Sequence, residues 1–213
     1  MTNISCLLAG LTRLLSPLIL VQIWHNKTGA RRLPAIIAFI ACFPVFIIGA
    51  VVRSGFSHSD FYSYYLQQGL LYGILEETAK FLVLKYYLTS YTGTKDAVTY
   101  GIGHGTFEEF GAGMSCLWLI GTGRADPNIF WINLWAAAEG TAWVVGLTVL
   151  IFYGIRTNKS QVMLPLAIML HTVSNAFTGI FGFSGFIVIT FNTLMTAGIC
   201  FAAYKCWIKM EKE

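Results

Sequence analysis

Long apolar runs separated by short polar connectors dominate the pattern of this chain. A membrane span needs about 20 predominantly apolar residues, and seven segments reach or approach that length: 4–24, 34–52, 61–88, 96–122, 128–154, 162–179 and 182–206. The connectors are rich in residues that break helices. The pattern predicts an all-α polytopic membrane protein, with a bundle of about seven transmembrane helices forming a single domain over 1–213.

Composition and cysteine usage support this class. Hydrophobic residues make up 56% of the chain and charged residues 11%, whereas soluble domains carry about 25% charged residues. Few residues are left for loops or domains outside the bilayer. We therefore expect the chain to contact membrane lipid and not to bind nucleic acid. The cysteines are scattered through apolar runs, which is typical of small buried hydrophobes and not of a disulfide framework: Cys6, Cys42, Cys116, Cys200 and Cys206.

The positions of lysine and arginine predict the orientation, because cytoplasmic loops carry an excess of both. They concentrate after the first, third and fifth spans and in the C-terminal tail: Lys27, Arg31, Arg32, Lys85, Lys95, Arg156, Lys159, Lys205, Lys209 and Lys212. The alternate connectors hold only Arg53, only Arg124, and none. We therefore expect the N-terminus outside and the C-terminus in the cytoplasm. The short loops suggest a multi-pass protein of a bacterial plasma (inner) membrane.

Three polar pairs with i, i+4 spacing interrupt the apolar spans: Glu76 with Lys80, His104 with Glu108, and His171 with Asn175. Each pair lies on one helix face, and ionisable groups in hydrocarbon cost at least a few kcal/mol each. With the predicted orientation, the three pairs lie within roughly 6 Å of one another in depth, at 1.5 Å per residue. The pattern predicts a single site in the middle to cytoplasmic part of the membrane.

Each pair also has a purely structural interpretation. Glu76 and Lys80 can neutralise each other so that the helix inserts, but this leaves Glu77 unpaired, and two carboxylates beside a lysine also make a tunable base. His104 can be a hydrogen-bonded core histidine. Its i, i+4 spacing to Glu108 is equally the geometry by which one helix binds zinc.

The third pair and the remaining intramembrane charges each allow more than one interpretation. His171 can act as ligand or acid, and Asn175 can donate to an oxyanion, although the two can also simply join helices. Arg13 falls inside the first span and needs an acidic partner or an interfacial helix. Glu139 can support the site or pair with Arg13, and Glu109 has no assigned role. Gly101 and Gly105 form a GxxxG that favours close approach of neighbouring helices.

The ordered motifs resemble a known superfamily. EETAK, GHGTFEE and HTVSN are similar to the EExxK/R, HxxxE-type and HxxxN motifs of the CAAX-protease-like and PrsW-like intramembrane proteases. The glycine-flanked second motif is most like the YhfC-like branch, described as intramembrane metalloproteases. The resemblance covers roughly residues 70–180. PrsW-like members usually lack a histidine at the position of His104, and the prenyl-protein proteases lack the flanking glycines, so their substrates should not be transferred.

The resemblance implies two mechanisms for peptide hydrolysis. In one, a metal, expected to be Zn²⁺, is held by His104, Glu108 and His171, while Glu76 takes the proton of water. In the other, no metal is needed, and Glu76 and His104 activate water while His171 and Asn175 stabilise the oxyanion. The predicted catalytic set is Glu76, Glu77, His104, His171 and Asn175, with a membrane-embedded or lipid-anchored protein or peptide as substrate.

Two other functions fit the residues. Intramembrane Glu, His and Lys also build the proton paths of transporters and channels, but those often show internal repeats and proline-broken helices, which this sequence does not display in the charged layer. A catalytically silent membrane scaffold or immunity-type protein would carry the same motifs. The sequence favours the protease.

Overall fold

The computed structural model describes residues 2–58, 60–124, 129–182 and 185–212. Within these ranges the chain forms seven α-helices: α1 Thr2–Thr28, α2 Leu33–Arg53, α3 Phe61–Leu82, α4 Thr94–Gly121, α5 Ile129–Arg156, α6 Ser160–Phe181 and α7 Phe186–Met210. A π-helical segment, Val83–Tyr87, continues α3. Each predicted span coincides with one helix to within a few residues. Residue 128 of the fifth predicted span and residues 183–184 of the seventh lie outside the described residues.

The predicted all-α class is confirmed, and the described helices fall into two groups by composition. Five of them, α1, α2, α5, α6 and α7, are long and apolar enough to cross a membrane. The other two, α3 and α4, carry the charged side chains of the predicted site, which reduce their hydropathy. The outer surface fits a bilayer: Ile36, Ile40 and Ile47 of α2 are each more than half exposed. The chain is therefore a multi-pass membrane protein by helix composition.

Helix α4, which carries His104 and Glu108, packs against α1, α2 and α5. Close approach depends on its glycines, because a Cβ at Gly103 would overlap the backbone of Ala35 in α2. At Gly101 a Cβ would lie 2.8 Å from the Cα of Val145 in α5. The predicted small-residue face of this helix is thus used inside the bundle, where backbone-to-backbone packing replaces the missing hydrophobic driving force.

Arg13 has an acidic partner inside the bundle, and it is Glu109. The Arg13 guanidinium donates from Nη1 to Oε2 of Glu109 at 2.8 Å and from Nε to Oδ1 of Asn133 at 2.6 Å. All three side chains are buried. The alternative that Glu139 is the counter-ion of Arg13 is wrong, and Glu109, which had no role in the sequence, stabilises the buried arginine that α1 brings into the bundle.

Candidate metal centre and active site

Four polar side chains from three helices converge near the middle of the bundle. Oε2 of Glu76 in α3 lies 3.3 Å from Nε2 of His104 in α4 and 3.8 Å from Nε2 of His171 in α6. Oε1 of Glu108 lies 3.5 Å from the same nitrogen of His104. Both histidines are buried, whereas 17% of the Glu76 side chain and 40% of the Glu108 side chain are exposed. The three motifs therefore meet in one place.

Glycines on α3 explain why Glu76 and Glu77 reach α6. A Cβ at Gly69 would lie 2.7 Å from the carbonyl oxygen of Thr172, and one at Gly73 would lie 2.6 Å from its hydroxyl oxygen. No larger residue fits at either position without moving the helices apart. Because this close contact ends one turn before Glu77, the two carboxylates face the helix that carries His171.

Lys80 pairs with Glu77, whereas the sequence spacing indicated a pair with Glu76. Nζ of Lys80 donates to Oε1 of Glu77 at 2.7 Å, and Nδ1 of His171 lies 2.6 Å from the same oxygen. The side chains of Lys80 and Glu77 are both 0% exposed. The adjacent glutamates thus have separate environments: Glu77 lies in a buried network with Lys80 and His171, while Glu76 faces both histidine Nε2 atoms.

Cys42 of α2 supports His104 from the other side, a contact that sequence reasoning missed. Its Sγ lies 3.3 Å from Nδ1 of His104 and donates to the carbonyl oxygen of Ala38 at 3.3 Å. The sequence gave no signal for this contact, because a lone cysteine in an apolar helix is typical of a small core residue. Only the packing of α2 on α4 brings the two residues together.

These hydrogen bonds assign the tautomers of both rings. Glu77 is already the acceptor for Lys80, so Nδ1 of His171 carries the proton and donates to it. The thiol of Cys42 donates to a carbonyl, so its sulfur is free to accept from Nδ1 of His104. The neutral tautomer with a proton on Nδ1 directs the Nε2 lone pair of each ring toward the carboxylate of Glu76, where a cation would bind. A ring protonated at Nε2 as well would instead donate to that carboxylate.

The donor set fits a metal ion. Ligand atoms of Glu76, His104 and Glu108 all lie within 4.8 Å of one another, so this group could hold a metal. Ligands on a tetrahedral Zn²⁺ with bonds of 2.0–2.1 Å are roughly 3.4 Å apart, close to the 3.3 Å between Glu76 and His104 and the 3.5 Å between His104 and Glu108. His171 lies farther away, 3.8 Å from Glu76. A histidine that donates its second nitrogen to a carboxylate, as His171 does, is the usual arrangement around metals.

Two cavities flank these side chains, and Glu108 lines both. One, of about 250 Å³, opens between α2, α3 and α4 and also contains Glu76 and His104. The other, of about 170 Å³, is lined mainly by polar side chains of α5, α6 and α7 and contains His171 and Asn175. Asn175 is exposed and lines this second cavity together with Glu108 and His171.

Glu139 also lines the polar cavity and accepts a hydrogen bond from Oγ1 of Thr196 at 3.4 Å. It is separate from the converging group. Of the predicted site residues, the structure therefore clusters Glu76, Glu77, His104, Glu108 and His171, and it places Asn175 beside them in the polar cavity.

A family model described as YhfC intramembrane metalloprotease matches residues 44–121. The chain is similar to the YhfC family over this segment. This confirms the resemblance seen in the motifs, and the enzyme class of the YhfC family is the predicted one, an intramembrane metalloprotease. The YhfC match includes the motifs of Glu76 and His104, and the motif of His171 lies beyond it. No curated protein and no solved structure matches the chain.

Proposed function

We propose that this protein is an intramembrane protease that hydrolyses peptide bonds of membrane-embedded or lipid-anchored substrates. The observation that supports it most is the convergence of His104 and His171 on Glu76, whose Oε2 lies 3.3 and 3.8 Å from the two Nε2 atoms. These three side chains lie between the two cavities described above. The match to a family of intramembrane metalloproteases supports the same conclusion.

The residues proposed to hold the metal, Zn²⁺, are Glu76 through Oε2 and His104 through Nε2, both from the group whose ligand atoms lie within 4.8 Å of one another. The proposed third ligand is His171 through Nε2, which lies outside that group and 3.8 Å from Glu76. Zinc bound to this set would supply a Lewis acid for the substrate carbonyl and would lower the pKa of an attacking water. Glu77 and Cys42 fix the orientation of the two rings by accepting hydrogen bonds from the Nδ1–H groups of His171 and His104. Lys80 balances the charge of Glu77, so that this carboxylate stays with His171.

Glu108 is proposed as the general base. Its side chain is the more exposed of the two candidate carboxylates, at 40% against 17% for Glu76, and it lines both cavities. It can therefore contact both the water and the peptide. This proposal exchanges the roles that the sequence suggested for Glu76 and Glu108.

The hydrolytic step uses the chain's own groups in order. Glu108 takes a proton from water as the water oxygen bonds to the carbonyl carbon of the peptide. The C–N bond then breaks, and the proton passes from Glu108 to the departing nitrogen, so that a carboxylic acid and an amine are formed. Asn175, in the polar cavity beside His171, is positioned to donate its amide N–H to the carbonyl oxygen.

The metal-free route predicted from the sequence assigns different roles to the same residues. Glu76 and His104, 3.3 Å apart, would activate water together. Metal content distinguishes the two routes. In the proposed route, wild-type protein purified in detergent contains one metal ion per chain, and a chelator abolishes its cleavage of peptides.

The membrane setting is inferred from charge. We infer that the N-terminus is outside and the C-terminus in the cytoplasm of a bacterial inner membrane, because Lys and Arg concentrate at one end of the bundle. Reporter fusions at each terminus test this orientation, and an active cytoplasmic reporter at the N-terminus would contradict it.

The proposed activity is tested by reconstituting the protein in liposomes with single-span model peptides and measuring cleavage by mass spectrometry. Wild type is expected to cleave, whereas inserted and folded His104→Ala and His171→Ala variants are expected to lose at least about 100-fold in rate. Equal cleavage by all three would contradict the proposal. Proton-coupled uptake without any cleavage would support the transporter alternative.

A further inference from the structure

The cavity between α2, α3 and α4 differs in character from the polar cavity between α5, α6 and α7. Its walls are mainly apolar, formed by Val45, Phe46, Tyr72 and Phe107. Its titratable lining residues Glu76, His104 and Glu108 have ligand atoms within 4.8 Å of one another, so they form one part of the wall, at the proposed active site. A ligand group in this cavity would therefore be surrounded by apolar side chains while touching the catalytic end.

The volume of this cavity, about 250 Å³, corresponds to one large side chain. An apolar cavity of about 150 Å³ holds a benzene molecule, so a leucine, methionine or phenylalanine side chain fits here. The cavity lined by Asn175 and Glu139 is smaller, about 170 Å³, and its polar walls suit water and the peptide backbone.

The walls are held by aromatic packing. The ring of Phe107 lies 5.1 Å from that of Phe43, 5.7 Å from Phe39 and 6.1 Å from Phe46, centroid to centroid, with the rings steeply inclined. Such edge-to-face contacts stabilise a fixed arrangement. The pocket is therefore formed before any ligand enters, which allows it to select by size.

We propose that this cavity is the specificity pocket of the enzyme, and that it binds one large apolar side chain next to the scissile bond of a membrane-embedded peptide. The inference rests on the proposed protease function. It follows from the adjacency of an apolar, side-chain-sized pocket to Glu76, His104 and Glu108. Inside the bilayer, selection comes from van der Waals fit, since lipid already solvates apolar groups, and small or polar side chains fill the pocket less well.

Gly111 offers a direct way to fill the pocket. It lines the cavity one turn after Phe107, and a Cβ there would meet nothing within 4 Å. Gly111→Leu therefore adds volume without disturbing the backbone. Gly198→Leu in α7, where a Cβ also meets nothing within 4 Å, is the matched control outside the pocket. Phe107→Ala enlarges the pocket instead.

The experiment profiles cleavage sites in liposomes, using a library of single-span peptides whose central residues vary among Ala, Leu, Phe and Asn. Wild type and Gly198→Leu are expected to favour Leu or Phe on one side of the cleaved bond. Gly111→Leu should shift the preference toward Ala by roughly tenfold or more in kcat/KM, the range for a changed pocket volume. Phe107→Ala should shift it toward Phe.

A second measurement does not depend on activity. Single-span peptides carrying photo-leucine at the central residue are cross-linked to wild-type protein and mapped by mass spectrometry. We expect labelling of Val45, Phe46, Tyr72 or Phe107, and loss of that labelling in Gly111→Leu but not in Gly198→Leu. Labelling confined to other faces would overturn the pocket assignment.

The outcomes separate the two claims. If wild type cleaves but Gly111→Leu keeps the wild-type profile, the pocket inference fails and the protease function stands. If no peptide is cleaved while photo-leucine still labels the pocket, the proposed function fails and the apolar binding site stands. If neither cleavage nor labelling occurs, both fail.

Discussion

Nδ1 of His171 lies 2.6 Å from Oε1 of Glu77, an oxygen that also accepts from Lys80 at 2.7 Å. This contact joins α6 to α3 and fixes the orientation of the imidazole. It also requires the ring to present its other nitrogen to Glu76. The second glutamate of the EETAK segment therefore acts on the site through His171, as a positioning residue, and the lysine keeps that glutamate in place.

The first prediction concerns this contact. Glu77→Gln removes the charged acceptor of His171, so metal affinity should fall 10- to 100-fold, the usual effect of losing such a partner. It also leaves the buried ammonium of Lys80 without its partner, which should destabilise the fold by about 3–5 kcal/mol. Isothermal metal titration and thermal unfolding in detergent measure the two effects.

A double variant separates these effects. Glu77→Gln combined with Lys80→Met removes the unpaired cation, so most of the stability should return while metal affinity stays low. Recovery of metal affinity together with stability would show that Glu77 matters only for folding.

The second prediction concerns Cys42. Cys42→Ala removes the acceptor 3.3 Å from Nδ1 of His104, and metal affinity should fall roughly tenfold. Cys42→Ser keeps a hydrogen-bonding group and should retain more of the affinity. Cys6→Ala changes an equally buried cysteine in α1 and serves as the control. Equal metal dissociation constants for Cys42→Ala and Cys6→Ala would reject the positioning role.

The third prediction concerns the buried pair of Arg13 and Glu109. Glu109→Gln should destabilise the protein by about 3–5 kcal/mol, because it leaves a buried guanidinium without its counter-ion. Arg13→Met with Glu109→Leu should recover most of that loss, since apolar residues can replace a buried ion pair. Thermal unfolding of the single and double variants measures both changes. If Glu109→Gln unfolds like wild type, the pair does not stabilise α1 in the bundle.

Hydropathy alone predicted the helices well, because the length of an apolar run decides whether it can cross a membrane. The i, i+4 spacing also predicted that Glu76, His104 and His171 would meet. Spacing could not decide between the two glutamates, since Lys80 is i+4 from Glu76 and i+3 from Glu77, and both spacings place side chains together. The tertiary contact with His171 selects Glu77.

Other contacts depend entirely on which helices pack together. Cys42 and His104 are 62 residues apart, and Arg13 and Glu109 are 96 apart. No local periodicity carries that information in a single sequence. The glycines show the same limit: the sequence drew attention to Gly101 and Gly105, whereas Gly69 and Gly73 make the contact that brings α3 to α6.

The fourth prediction tests the contact between α4 and α2. Gly103→Ala places a Cβ into the backbone of Ala35, so the helices must separate, and His104 should move away from Cys42. We expect a large loss of thermal stability. Gly121→Ala in the same helix meets nothing within 4 Å and should be neutral. Similar unfolding temperatures for the two variants would contradict the close packing described here.

The central claim, that Glu76 holds a metal with two histidines while Glu108 serves as base, is tested most directly by metal content. We would purify wild type, Glu76→Gln and Glu108→Gln in detergent and measure bound metal by mass spectrometry, together with peptide cleavage. The account predicts one metal per chain in wild type, loss of the metal in Glu76→Gln, and an inactive Glu108→Gln that retains it. Wild-type protein that cleaves without bound metal would contradict the account.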